Sequence, residues 1–454
     1  MLDLLSFIVA ISVLVAAHEF GHFWVARRLG FKVLRFSIGF GRPLLVRRGP
    51  APDHTEYWLS MIPLGGYVKM LDEREAPVAS SERHRAFNQR PVWQRIAVLL
   101  AGPAFNFLFA IVAYWLMFAS GVPGLKPLIG AVAPNSVAAR AGIEPGDEIT
   151  AVGDKAAATW ENATLQIFAQ LLTDARIDLT LREPNGNTKH VELDVRGREA
   201  ELTEPAALFR GLGIQPGPVI PAVVGTVTPG SPAEVAGMLA GDEVVAVGGR
   251  SIEGWEQWVD FVRERPGDTV TVTVRRDGGE IPLTIAIAPF VDAGKTIGRI
   301  GASRTSALSP ELLDSLRAEQ RYGVLESVPR GIEKTWEVSA LTVRMLVRMV
   351  VGDVSLKNMS GPLTIADYAG DSAAAGFSTF LSFLAAVSIS LGILNLVPIP
   401  LLDGGQVVYQ LVEWFKGSPL SERAMVLGQQ IGVFFLIALM SFAFYNDISR
   451  IFGS

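Results

Sequence analysis

The sequence predicts a polytopic α-helical membrane protein with four transmembrane helices, a duplicated α+β domain between the second and third of them, and a strand pair on the opposite, cytoplasmic face. Three observations predict it. Of 454 residues 49% are hydrophobic and only 19% charged, against roughly 25% charged in an average soluble domain, and the mean hydropathy is +0.33. Residues 4–25, 96–119, 377–397 and 427–445 are each apolar over about the 20 positions that a helix needs to cross some 30 Å of hydrocarbon. Finally, a 22-residue segment beginning at Val132 recurs at Val227.

Charge sets the orientation. Residues 27–95 hold 13 Lys and Arg against 6 Asp and Glu, so the loop after the first span is cytoplasmic and the N-terminus lies outside. That loop's +7 leaves -12 for the rest of a chain whose net charge is -5. Four passes return the C-terminus to the outside, and Lys416 and Arg423 place the last loop in the cytoplasm. Residues 121–375 are therefore outside. The first span is either a signal peptide or a retained helix; Asp3 in place of a basic leader, and direct passage into the His18–His22 segment, favour a retained helix. An acidic chain gives no support for a nucleic-acid partner. The absence of cysteine excludes disulfides, a thiol nucleophile and thiolate metal sites.

The repeat reads VAPNSVAARAGIEPGDEITAVG from Val132 and VTPGSPAEVAGMLAGDEVVAVG from Val227, with 12 of 22 positions identical. A 95-residue offset is a whole small domain. In each copy a strand leads into P-x-S-x-A-x-x-A-G, a short helix, and a Gly-Asp turn at Gly146 or Gly241 that starts the next strand. This pattern resembles bacterial PDZ domains over about 180 residues. The resemblance implies α+β domains that capture peptide termini by strand addition beside a Gly-rich turn. The candidate turns are Gly211, Leu212, Gly213 and Ile214 in the first copy, and Ile300 and Gly301 in the second. A pair of spacers or size filters that bind no peptide is equally compatible.

Three ionisable residues, His18, Glu19 and His22, lie in the first apolar span. At helical spacing the two histidines share a face. H-E-x-x-H then offers two imidazoles to one zinc ion, with Glu19 placed to exchange a proton with water there. Ionisable groups within a span are costly and mark function; a polar cluster that only packs helices is the competing reading. His54, His84 and His190 lie in polar sequence and read as solvated. Catalytic zinc takes three protein ligands, so with no cysteine the third is a carboxylate or another histidine. Asp403 follows an apolar helix broken by Pro398 and Pro400, at the same predicted cytoplasmic depth as the two histidines.

His18-Glu19-Phe20-Gly21-His22, Gly102-Pro103-Ala104-Phe105-Asn106 and the N-x-x-P-x-P-x-L-D-G-G run from Asn395 to Gly405 together resemble the site-2 protease family of intramembrane zinc metalloproteases. Tandem PDZ-like domains narrow this to its bacterial branch, and the resemblance extends over essentially the whole chain. It implies His18, His22 and Asp403 as ligands of one Zn2+ per chain, Glu19 as catalytic acid/base, and Gly102, Pro103 and Asn106 as a core motif. It gives substrate holding to Asn395 and Pro398, with Gly65 and Gly66 allowing close backbone approach from a membrane-associated β-hairpin. Substrates would be single-pass membrane proteins already shortened by another protease, of the anti-sigma-factor kind, and remnant signal peptides. The setting would be the inner membrane of a Gram-negative bacterium, with both termini and the PDZ-like domains periplasmic.

The implied organisation is residues 1–120 with the first two spans and hairpin, 121–218 and 219–310 as PDZ-like domains, 311–375 as amphipathic linker helices, and 376–454 with the last two spans. Residues 36–41 and 61–70 are short, Gly-punctuated strands that form either an ordinary cytoplasmic hairpin or a re-entrant one pairing with unwound substrate. Residues 324–351 set Ile332, Trp336, Leu341, Met345 and Met349 among Arg330, Lys334, Arg344 and Arg348; this is either a helix on the membrane surface, its basic edge toward lipid head groups, or a simple connector. Two other functional classes compete. A zinc transporter would need no proton-transfer role for Glu19, and a membrane-anchored PDZ scaffold leaves an intact ligand set unexplained.

Overall fold

A computed structural model describes residues 2–252, 254–292, 295–304, 314 and 316–452. All four expected spans are helices, Leu2–Arg28, Val92–Ser120, Phe377–Leu396 and Glu422–Phe452. Three of the four overrun their apolar windows at both ends, because helix formation continues into polar flanks after the hydrocarbon has ended. The chain divides into two compact units. One comprises residues 1–122, 319–352 and 356–454; the other comprises 123–318 and 353–355.

In the first unit the second helix is the hub. Its face bearing Ala110, Ala113, Tyr114 and Met117 packs on Leu381, Ala385, Ile389 and Ile393 of the third span. Its other side crosses the first helix so closely that a Cβ on Gly21 would stand 2.9 Å from both the Ala101 carbonyl carbon and Phe105 Cβ. Small residues let membrane helices approach in this way and bring backbone groups within reach. Leu427, Ile431, Phe434 and Ile437 of the fourth span are exposed, as suits a helix solvated by lipid.

The hairpin is longer than expected. Its strands run Val33–Arg48 and Glu56–Met70 and pair antiparallel. The first strand continues past the expected end at Gly41 through Arg42 and Pro43, because a two-stranded ribbon has free edges that tolerate proline. Leu44, Leu45, Leu59, Met61 and Ile62 are exposed along it. Residues 324–351 do form a helix, Ser327–Val351, with Ile332, Trp336, Val343, Val347 and Val350 exposed. Lys334 departs from the expected basic edge, being only 7% exposed. It lies on the side where Gly331 meets the Ile111 carbonyl and Trp115 backbone of the hub.

The second unit contains both copies of the repeat, and their elements match in order. In each, a serine caps a short helix: Ser136 Oγ accepts from Ala139 N at 3.1 Å and Ser231 Oγ from Glu234 N at 3.4 Å. Four-stranded sheets follow, with strands Glu148–Val152, Lys155–Ala156, Arg176–Arg182 and Thr188–Asp194 in one, and Glu243–Val247, Arg250–Ser251, Thr269–Arg276 and Gly279–Ala286 in the other. The Gly-Asp signature is structural. Asp147 Oδ2 and Asp242 Oδ2 each accept a backbone N–H at 2.8 Å, from Glu144 and Leu239. Both carboxylates are fully buried and paired, with Lys189 at 2.9 Å and Arg276 at 2.7 Å. A buried carboxylate needs such partners to stay charged.

Candidate metal centre

His18 and His22 stand one turn apart on the first helix, and the second helix passes directly beneath them. Gly102 makes this possible. A Cβ there would lie 2.6 Å from His22 Cε1 and 2.7 Å from His18 Cε1, so any side chain at this point would displace the rings.

Asp403 comes from elsewhere. The chain turns at Pro398 and Pro400 and starts a helix, Asp403–Lys416, where the sequence predicts only a short cytoplasmic loop. Gly404 and Gly405 serve close approach. A Cβ on Gly404 would stand 2.5 Å from the Leu396 carbonyl carbon, and one on Gly405 2.5 Å from that of Ile399. The helix therefore folds back tightly on the end of the third span. Its first turn presents the Asp403 carboxylate, where a helix N-terminus favours negative charge.

Three donor atoms converge. His18 Nε2 and His22 Nε2 are 3.2 Å apart, and Asp403 Oδ2 lies 3.3 Å from the first and 3.5 Å from the second. Ligands at about 2.1 Å from a tetrahedral zinc are separated by about 3.4 Å along each edge, so the triangle has the dimensions of one face of such a site. Its chemistry also fits. His22 Nδ1 lies 2.8 Å from the Val98 carbonyl, which can only accept, so the proton is on Nδ1 and the Nε2 lone pair points inward. Asp403 Oδ2 is buried without a hydrogen-bond partner. This is the one group of three or more potential metal ligands among the described residues. His54, His84 and His190 are exposed.

Glu19 is half-buried and within electrostatic range of His18, His22 and Asp403. The second hairpin strand runs beside it: a Cβ on Gly66 would be 2.9 Å from Glu19 Cγ and 2.8 Å from Val15 Cγ1. Gly65, at φ 108°, lies under the Phe40 ring. Asn395 is half-buried in the last turn of the third span, and Pro398 is exposed in the turn that follows. Pro103 and Asn106 sit in the hub helix, Asn106 fully buried with Nδ2 3.2 Å from His18 Nδ1. The core-motif residue Asn106 thus meets His18, a contact that the motif alone does not specify, and the Val98 carbonyl, being a backbone group, leaves no signal in the sequence.

The two candidate peptide turns have corresponding geometry. Gly213 and Gly301 adopt φ of 80° and 77°, and each packs against the serine that caps the short helix of its own copy, Ser136 or Ser231. Ile214 and Ala302, the following residues, pair with Val132 and Val227. Gly211 and Leu212 instead belong to the short helix Leu208–Leu212, with Leu212 in the core. In the second copy a cavity of about 400 Å³ opens beside Ile300 and Gly301, lined also by Trp258, Val262 and Phe290.

The family model for peptidase family M50 matches residues 6–439. The chain is 42% identical over 455 residues to the regulator of sigma-E protease RseP of Escherichia coli, covering 99% of each chain. It is similarly 42% identical to the protease RseP of Yersinia pestis, again over 99% of both, and 39% identical to the regulator of sigma E protease of Haemophilus influenzae over 98% of both. With four helices long and apolar enough to cross a membrane and a match that takes in His18, His22 and Asp403, the chain belongs to peptidase family M50.

Proposed function

We infer that this peptidase is an intramembrane zinc endopeptidase that cleaves transmembrane segments of pre-trimmed single-pass proteins, of the anti-sigma-factor kind and including remnant signal peptides, in an envelope stress response. The observation that carries the reading is the His18–His22–Asp403 triangle, with tetrahedral edge lengths, at a cytoplasmic helix crossing beside Glu19. These three residues would hold one Zn2+ per chain, which would supply the Lewis acid that polarises a carbonyl and acidifies water.

The chain's own residues do the remaining work. Glu19 takes a proton from the attacking water and returns one to the leaving amine. A helical substrate hides its carbonyls in backbone hydrogen bonds, so the cleaved stretch must be held extended. The strand bearing Gly65 and Gly66 offers unpaired backbone groups next to Glu19 for strand addition. Asn395, whose side chain makes no hydrogen bond to another described residue, supplies a free amide to the same stretch at the turn marked by Pro398.

The two copies of the repeat are periplasmic PDZ-like domains. The charge asymmetry supports their placement, and the positive-φ glycines Gly213 and Gly301 beside capped helices support a terminus-binding turn. The cavity beside Gly301 favours peptide capture by the second copy; a filter against intact ectodomains is the alternative, and it predicts no affinity for short peptides. Both termini lie on the periplasmic side of the inner membrane, and the metal lies toward the cytoplasm.

The test is cleavage of an ectodomain-truncated single-pass reporter by detergent-purified protein. Wild type cleaves, whereas Glu19→Gln binds zinc without cleaving, and His22→Ala and Asp403→Ala lose zinc. Turnover by Glu19→Gln, or full zinc content in either ligand variant, would overturn the assignment.

A further inference from the structure

We propose that Asn106 is a positioning residue of the metal centre, its side-chain amide holding the His18 ring at Nδ1. The proposal rests on the reading of His18, His22 and Asp403 as metal ligands, and takes its evidence from the second helix.

Each imidazole has one nitrogen in the triangle and one outside it, and the second helix faces both outer nitrogens. His22 Nδ1 meets the Val98 carbonyl at 2.8 Å, and His18 Nδ1 meets Asn106 Nδ2 at 3.2 Å. Gly102 makes the first contact possible by clearing the space under the rings.

Asn106 is fixed in place where the first three spans meet. It is fully buried, its backbone carbonyl accepts from Ser388 Oγ at 2.9 Å, and its Cβ lies 3.3 Å from where a Cβ on Gly392 would be. Only the terminal amide has freedom. The amide Nδ2 lies 3.2 Å from His18 Nδ1, and Asn106 Oδ1 is buried with no other partner. A ring that gives its Nε2 lone pair to a metal carries its proton on Nδ1, and the amide oxygen is the end of Asn106 that can accept it. Aspartate would also accept there, and leucine would not.

The experiment measures zinc affinity by chelator competition in full-length detergent-purified protein, with the visible spectrum of the Co2+-loaded protein as a second readout. Asn106→Leu is expected to weaken zinc binding about 10- to 100-fold, the range for loss of an outer partner of a metal-bound histidine, and to shift the Co2+ bands. Asn106→Asp is expected to bind at least as tightly as wild type with unshifted bands. Zinc affinity in Asn106→Leu within about twofold of wild type overturns the proposal, as does an Asn106→Asp protein as weak as Asn106→Leu, which would reveal a packing role alone. Should Asn106→Leu fail to fold, Asn106→Ala makes the same comparison with Asn106→Asp. A wild type that binds no zinc, or binds it undiminished in His22→Ala, refutes the ligand assignment itself, an outcome visible before any Asn106 variant is compared.

Discussion

Replacing Gly102 with alanine adds one methyl group to a helix interior, and by backbone propensity alone should stabilise the protein by about 0.5–1 kcal/mol. The surroundings reverse that expectation. The new Cβ would stand 2.6 Å from His22 Cε1 and 2.7 Å from His18 Cε1, whereas ordinary carbon contacts begin near 3.4 Å. The rings must retreat by about 0.8 Å or more, while a competent zinc site holds its ligand distances within about 0.2 Å. Retreat is blocked, because His22 Nδ1 is tied to Val98 and His18 Nδ1 meets Asn106. Overpacking of this kind costs about 1–3 kcal/mol, which outweighs the propensity gain of about 0.5–1 kcal/mol and leaves a net loss of up to about 2.5 kcal/mol. The metal takes the damage. Gly102→Ala should lose zinc affinity by at least about 100-fold, at or beyond the upper end of outer-shell effects, and reporter cleavage by at least the same factor. Zinc content after dialysis against a graded chelator series, with thermal unfolding of the same samples, reads both quantities. A Gly102→Ala protein that keeps wild-type zinc affinity would refute the claim that this glycine exists to admit the imidazoles.

Two further outcomes test other parts of the fold. Arg95 is 5% exposed and grips Glu413 through two hydrogen bonds of 2.6 and 3.1 Å, tying the second helix to the helix that begins at Asp403; Arg95→Met should cost about 3 kcal/mol in denaturant unfolding, as for a broken buried pair, and adding Glu413→Met should restore most of it. In the second repeat, burial pushes the Asp242 carboxyl up, but the Arg276 guanidinium and the Leu239 N–H outweigh it and hold the group below the usual carboxylate range. A lowered folded-state value means that the stabilisation is present above the unfolded value near 4 and is lost as pH falls through the folded one. The gap in thermal midpoint between wild type and Asp242→Asn should therefore be full at pH 7 and narrow below pH 4; a gap that persists unchanged at pH 3 would show that charge is not its source.

Much of the architecture was legible because it rests on patterns of long wavelength. Spans need about 20 apolar residues, duplication repeats over 95, and two histidines four apart can only share a helical face. Asp403 was legible through its position after Pro398 and Pro400. What escaped had the wrong local appearance or none at all. Gly404-Gly405 looks like an end of structure, yet begins a 14-residue helix, because the contacts that require glycine come from Leu396 and Ile399. Arg42 and Pro43 look like a turn but lie within a 16-residue strand. Lys334 reads as part of a solvated edge and is buried. The Arg95–Glu413 pair joins residues 318 apart, which no local pattern announces.

The division of labour at the metal centre follows from where its parts originate. The first helix supplies two of the three proposed ligands on a single rigid face, so their mutual spacing is set by helix geometry alone. The third ligand arrives from a segment more than 380 residues later, and nothing local fixes its distance from the other two. Whatever holds the second helix against both must therefore set the size of the triangle. The hub does this twice, through the glycine-lined crossing at Gly21 and Gly102 and through Arg95 on Glu413, ten residues beyond Asp403. The same helix fixes the outer nitrogens of both imidazoles. A segment that contributes no ligand thus determines whether the three donors meet at tetrahedral spacing, which is why its Gly-Pro-x-x-Asn run is as much a part of the site as H-E-x-x-H.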